Sequence, residues 1–292
     1  MLNNHLLKIS FLTCLALIAF AANSVLCRLA LGNETIDAAS FTVVRLLSGA
    51  LTLLLILGMK GNNKGVISKG SWAASFSLFL YAITFSYAYL SIDTGTGALI
   101  LFGSVQLTMI LLSLIAGTRL HFSEWSGVII AFMGFIYLIL PNITTPSING
   151  LILMTVSGVS WGIYTLKGRS SNNPLMDTTY NFLRTIPFVM ILAIFTMEVM
   201  SISTEGIILA LLSGGLTSGI GYTIWYIALR GLSTTQAAVV QLLVPVIAAV
   251  GGVLFVSETI TLRLVISAVI VLGGILMVIL GKYYFTRSRV NT

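Results

Sequence analysis

The sequence predicts an all-α membrane protein of about ten transmembrane helices, built from two inverted five-helix repeats. Three observations predict it: a great excess of apolar over charged residues, a run of apolar stretches separated by polar breaks, and a likeness between the two halves of the chain.

Composition comes first. Of 292 residues, 57% are apolar and only 8% are charged, whereas soluble domains carry about 45–50% and about 25%. A folded chain of this size still needs a polar exterior in water, so the solvent here is mostly lipid. A net charge of +7 would suggest nucleic acid in a soluble protein. In this setting it reads as the cytoplasmic excess of Lys and Arg that orients membrane proteins. Cys14 and Cys27 share one apolar stretch; on one helix they would sit about 20 Å apart, too far to bridge. No disulfide, metal site or cofactor is expected.

The apolar stretches fall at roughly 8–30, 38–58, 71–91, 96–117, 124–141, 148–167, 179–199, 206–229, 235–256 and 262–284. The first of them, with Lys8 before it and Ala19-Phe20-Ala21 inside it, also resembles a secretory signal. Its counterpart later in the chain makes it an uncleaved first span. Polar loops at Lys60-Gly61-Asn62-Asn63-Lys64 and Ser170-Ser171-Asn172-Asn173-Pro174 break the pattern, and Pro141-Asn142 closes the fifth span. The break at Asp93-Thr94-Gly95-Thr96-Gly97 is short, so spans three and four should form a tight hairpin. With both termini cytoplasmic, eleven Lys and Arg lie in inside segments against two outside, Arg28 and Arg263. Most acids, Glu258 among them, fall outside.

Residues 81–140 slide onto 220–279 without a gap. Thr84, Tyr87, Thr96 and Gly134, among others, then meet Thr223, Tyr226, Thr235 and Gly273, and Arg45 meets Arg184 at the same shift. A repeat of five spans is odd-numbered, so the second copy enters the membrane from the opposite side. This divides the chain into a first repeat, 1–146, and a second, inverted repeat, 147–292. Inverted repeats are a signature of secondary transporters, whose substrate site lies at the midplane between the halves.

Several short motifs carry a family likeness. They are Phe20-Ala21-Ala22-Asn23-Ser24-Val25, Val44-Arg45-Leu46-Leu47-Ser48-Gly49-Ala50, Ser160-Trp161-Gly162-Ile163-Tyr164, Gln241-Leu242-Leu243-Val244-Pro245-Val246 and Phe255-Val256-Ser257-Glu258. Their order and spacing resemble the ten-helix, EamA-like branch of the drug/metabolite transporter superfamily. Gln106 and Arg119 depart from it, standing where the second half has Pro245 and Glu258. The resemblance implies a bundle with a central cavity and, typically, export of an amino acid or similar small metabolite; a bacterial inner membrane and function as a monomer are the expectations set beside it, while import against export and the oligomeric state stay open. The partners it implies are a small-molecule substrate and the lipid bilayer, without nucleic acid.

Few ionisable groups lie within the apolar stretches, and each such group is a functional candidate. Arg45 and Arg184 sit one to two turns inside spans two and seven. They could contact a substrate carboxylate, or bond to helix ends and loops near the interface. Their symmetric, shallow placement favours the second role. No Asp, Glu or His lies at mid-span; His5 and His121 are peripheral, which gives a proton relay no support. Asn23 and Gln106 fall near mid-span, and Gln241 two turns into the ninth; amides there either join helices or bind ligand. Tyr81 and Phe85 share a helix face with Tyr89, and Tyr222 shares one with Trp225 and Tyr226. Phe20, Trp161 and Tyr164 complete the expected cavity wall. Tyr89, Trp225 and Tyr226 lie nearer the helix ends and read as an interfacial belt. Gly215-Leu216-Thr217-Ser218-Gly219, Gly251-Gly252 and Gly273-Gly274 read as sites of close helix approach, and Pro187 and Pro245 as kinks. The competing readings are a channel, which would want a polar pore ring, a structural membrane protein, and an intramembrane enzyme, which would need His or Asp at depth.

Overall fold

A computed structural model describes residues 2–60, 69–115, 117, 122–139, 147–169, 171–232 and 234–290. Lys64, Arg119, His121, Pro141, Asn142 and Ser170 of the sequence reading lie outside the described residues.

The chain is a succession of α-helices. They are α1 (Leu2–Gly32), α2 (Ala38–Met59), α3 (Trp72–Ala88), α4 (Thr94–Ile115), α5 (Phe122–Ile139), α6 (Ile148–Arg169), α7 (Pro174–Thr196), α8 (Thr204–Leu211), α9 (Gly221–Leu229), α10 (Thr234–Gln241), α11 (Val244–Val256) and α12 (Leu262–Val290). Between α8 and α9 runs a π-helical segment, Leu212–Ile220, so α8, this segment and α9 form one continuous rod. Short polar side chains start several helices by accepting from otherwise unbonded backbone N–H groups. Asp37 caps α2 at Ser40, Ser71 caps α3 at Ala74, and Ser203 caps α8 at Gly206. The connection between α3 and α4 is short, as expected, but the two helices do not form a tight hairpin; each packs on α6 instead.

Seven helical stretches are long and apolar enough to cross a membrane: Leu7–Gly32, Ala38–Met59, Thr94–Ile115, Pro174–Val199, Thr204–Leu229, Val239–Val256 and Leu262–Gly281. Trp72–Ala88 and Glu124–Leu138 are apolar but shorter. The expected spans 71–91 and 124–141 are therefore shorter within the described residues. Span 148–167 is long enough but diluted by Ser157, Ser160, Thr165 and Lys167.

The helix pairings repeat between the halves. The α3–α6 contact has its counterpart in that of the α8–α9 rod with α1, and α4–α6 in that of α11 with α1. The α2–α7 and α5–α12 pairs are each their own counterpart. Small residues let the α5–α12 and α2–α7 pairs close: a Cβ on Gly127 would meet the Gly274 carbonyl at 2.6 Å, and one on Gly49 would meet the Phe182 ring at 2.5 Å. Gly273, by contrast, faces open space, so close packing does not account for it. Pro187 is accommodated inside α7, whereas helix is interrupted between Gln241 and Val244, just before Pro245. Large apolar side chains such as Leu51, Phe132, Phe195 and Leu254 cover the outside.

Candidate functional site

Five rods converge on one polar and aromatic cluster. From α1 come Phe20 and Asn23, from α2 Arg45, and from α3 Tyr81 and Phe85. From α6 come Trp161 and Tyr164, and from the π segment and α9 come Ser213, Thr217, Ser218, Tyr222 and Trp225. All are buried.

The rings pack edge to face or tilted, as their quadrupoles prefer. Trp161 lies 4.9 Å from Tyr81, 4.7 Å from Tyr222 and 5.4 Å from Tyr164. Phe20 touches Trp161, Tyr222 and Trp225 at 6.1, 5.9 and 5.6 Å. Six of the expected residues, Phe20, Asn23, Tyr81, Phe85, Trp161 and Tyr222, line a single internal cavity together with Leu101 and Phe102. It measures ≈ 10 Å³ for the centre of a water-sized sphere, room for about one water. Tyr164 stands behind it, against Trp161.

The polar groups form a connected chain. The Arg45 Nη2 donates to the Tyr81 hydroxyl at 2.9 Å and to that of Tyr222 at 3.3 Å. Arg45 Nε donates to Ser218 Oγ at 3.3 Å. Asn23 Nδ2 donates to the Tyr81 hydroxyl at 3.3 Å. The Asn23 Oδ1 accepts from Ser213 at 2.6 Å and Thr217 at 3.2 Å. The guanidinium also lies over the Phe85 and Tyr81 rings, 4.9 and 5.1 Å from their centroids.

Arg45 is thus not the interfacial side chain its shallow position suggested; it is 1% exposed. The reason is lateral closure. Gly214 of the π segment lies against the backbone carbonyl of Arg45 and the Ser48 hydroxyl, with no room for a side chain. Arg184 does behave as expected: its Nη1 donates to the Lys69 carbonyl, and its guanidinium stacks over the exposed Trp72. The belt reading also fails for Tyr89, Trp225 and Tyr226, which are 0%, 2% and 5% exposed. Distance from a helix end does not say which face of the helix a ring occupies. Gln106 is buried on α4 without lining this cavity, and its Nε2 has no partner among the described residues. Gln241 is elsewhere too, its Nε2 turned back to the Ala237 carbonyl.

Sequence reasoning missed Phe102, Ser213, Thr217 and Ser218. Ser213 and Thr217 are spaced i, i+4 in the rod that carries Tyr222, which was the available signal.

Two larger cavities lie beyond the cluster, at opposite ends of the helices. One, of ≈ 220 Å³, is lined by Thr165, Trp225, Tyr226, Arg230 and Gln241, among others. The other, of ≈ 280 Å³, is lined by Asp93, Thr96, Glu258 and Arg263, among others. At the Glu258 end the helices are tied together. Arg28 Nε donates to Glu258 at 3.2 Å, and Arg28 Nη1 to the Tyr89 carbonyl at 2.9 Å. The Glu258 carboxylate accepts the Thr94 N–H at 2.9 and 3.0 Å and the Thr94 hydroxyl at 3.1 Å. It therefore caps the N-terminus of α4 with a negative charge. Asp93 stands 3.7 Å from Arg28. At the Arg230 end, Asp177 and Asn181 of α7 accept from the backbone of Gly70 and Ser71.

The helices long and apolar enough to cross a membrane make this a polytopic membrane protein, and its likeness to known proteins makes it a transporter. The model of the EamA-like transporter family matches the chain twice, over residues 7–140 and 148–280, and the chain belongs to that family. An uncharacterized protein of Pseudomonas aeruginosa is 45% identical over 268 residues, 92% of this chain and 93% of that one. An uncharacterized transporter of Archaeoglobus fulgidus is 29% identical over 213 residues, 70% of this chain and 74% of that one. The uncharacterized transporter YoaV of Bacillus subtilis is 20% identical over 272 residues, 89% and 92% of the two chains. A crystal structure of 16% identity shares the fold, with a TM-score of 0.61 over 90% of this chain and 95% of the other.

Proposed function

We propose that this protein is a secondary transporter that moves a small amphipathic solute across a bacterial inner membrane by alternating access, in the export direction, with no catalytic step. The observation that carries the reading is the series of three cavities. A constricted cavity of ≈ 10 Å³, walled by aromatic rings and one hydrogen-bonded amide, lies between cavities of ≈ 220 and ≈ 280 Å³ at the two helix ends. A channel would need a continuous polar path, and here aromatic side chains interrupt it. Ten spans, with the short α3 and α5 and the polar α6 included, account for the mirrored pairings if residues 147–292 repeat 1–146 in inverted orientation. Rocking of the halves about the α2–α7 and α5–α12 contacts would then open the site to either side in turn. The Lys and Arg bias puts the Arg230 end and both termini in the cytoplasm and the Glu258 end outside.

The class to test first is amino acids and related metabolites. The experiment is uptake of a labelled panel of neutral, aromatic and basic amino acids, organic acids and organic cations into proteoliposomes, with and without a pH gradient. Saturable uptake of one class supports the proposal. A folded protein that moves none of them, while leaking ions at a rate that does not saturate, would favour a channel.

A further inference from the structure

The central cluster has more hydrogen-bond donors than acceptors, and its one charge is unbalanced. Arg45 brings five N–H donors and a fixed positive charge. Its Nε and Nη2 are used, but the buried Nη1 has no partner among the described residues. No carboxylate of the described residues forms an ion pair with it; the nearest comparison is Arg28, which pairs with Asp93 and Glu258. The two tyrosine hydroxyls add to the excess. Tyr81 accepts from Arg45 and Asn23, Tyr222 accepts from Arg45, and the two hydroxyls lie 3.4 Å apart. One of their two protons serves the bond between them. The other has no acceptor in the cluster, and both hydroxyl-bearing side chains line the central cavity. The acceptor best placed to balance the donors, Asn23 Oδ1, is already taken by Ser213 and Thr217.

A buried cation without a counter-ion is costly, and a donor left unbonded in a dry site adds to the cost. A purely structural arginine would have its donors spent on carbonyls or a carboxylate, as Arg28 has. From this imbalance, and resting on the transporter reading, we infer that the transported solute is a small carboxylate anion with an apolar body, whose carboxylate completes the Arg45–Tyr81–Tyr222 cluster. The aromatic walls take the apolar body. A solute ammonium group has no carboxylate to meet among the lining residues, and it would share the site with the Arg45 guanidinium that lies over Tyr81 and Phe85. A net anion therefore fits better than a zwitterion or a cation. The side chains must part to admit it, because the central cavity now has room for about one water.

Three probes that share a benzyl group isolate the charge: phenylacetate, phenylacetamide and phenethylamine. Each is titrated against the purified full-length protein, with binding read from tryptophan fluorescence, since Trp161 and Trp225 flank the site. Phenylacetate should bind at least about tenfold more tightly than the amide, the value of one charge-assisted contact, and the amine no better than the amide. Arg45→Gln should bring acid and amide to within about twofold of each other, while Arg184→Gln keeps the preference. If Arg45→Gln does not fold, Tyr81→Phe keeps the charge but removes a donor, and should weaken the acid more than the amide. Equal binding of acid and amide, stronger binding of the amine, or binding of none of the three overturns the inference. Proteoliposome uptake separates the two levels. Saturable uptake of phenethylamine would keep the transporter and discard the anion site. Phenylacetate binding without uptake of any solute would do the reverse.

Discussion

Glu258→Gln should loosen the helices at the end where Arg28, Thr94 and Glu258 meet. The carboxylate there holds an arginine at 3.2 Å and the first N–H of α4 at 2.9 and 3.0 Å. A glutamine keeps one oxygen for Thr94 but turns an NH2 group toward a donor, and it removes the negative charge. Loss of a hydrogen bond to a charged group costs about 1.5–3 kcal/mol, and loss of the helix-terminal charge adds about 0.3–1 kcal/mol. Arg28 retains the Tyr89 carbonyl and can turn toward the exposed Asp93 at 3.7 Å, which recovers part. The net is about 2 kcal/mol against the closed end, or about a 30-fold rise in the open population. The assay places a reporter cysteine at Ser24, one turn along α1 from Arg28 and 1% exposed, in a background with Cys14 and Cys27 replaced by alanine. A charged thiol reagent should label it about 30-fold faster when Glu258 is glutamine. A second reporter at Ser267, buried on α12 at 0% exposure, should keep its rate. If the Ser24 rate does not change, the Arg28–Glu258–Thr94 contacts do not hold this end closed. If both rates rise together, the substitution has merely destabilised the fold.

Trp161→Ala should reduce transport per folded molecule by more than it reduces folded yield, because the ring touches Phe20, Tyr81, Tyr164 and Tyr222; unchanged transport per molecule would remove Trp161 from the site. Arg184→Gln should leave transport intact and cost about 1 kcal/mol or less in thermal unfolding, since its contacts are exposed. Gly214→Ala should cost about 1–3 kcal/mol by overpacking against the Arg45 carbonyl and Ser48, and a melting temperature equal to that of the wild type would show that α2 and the π segment can separate freely. A cysteine at Lys60 should resist an impermeant thiol reagent added outside intact cells, and outside labelling would reverse the proposed orientation.

Much of the cluster was legible because aromatic and amide groups in a chain so apolar stand out, and Phe20, Asn23, Tyr81, Phe85, Trp161 and Tyr222 do converge. What depends on the rotation of a helix was not legible. Arg45 and Arg184 meet when the two halves of the sequence are laid on one another. One is enclosed by the glycines of a neighbouring rod, while the other reaches Lys69 and Trp72 at the surface. Trp225 approaches Arg230 along the chain, yet it faces Phe20. The π segment could not be read either. One residue more per turn leaves the apolar pattern almost unchanged, although it decides where Ser218 and Tyr222 point.

That wider turn has a mechanical consequence. In a regular α-helix each residue advances the rotation by about 100°, so a rod that exchanges its i→i+5 bonds for i→i+4 bonds turns one half against the other by about a residue's worth. Across Leu212–Ile220, such an exchange would swivel α9 about its own axis while α8 stayed seated. Tyr222 and Trp225 would swing from the cluster together, neither half of the rod unwinding. The rod would act as an axle with a slipping collar, and amide hydrogen exchange faster across 212–220 than in α8 and α9 would be its signature.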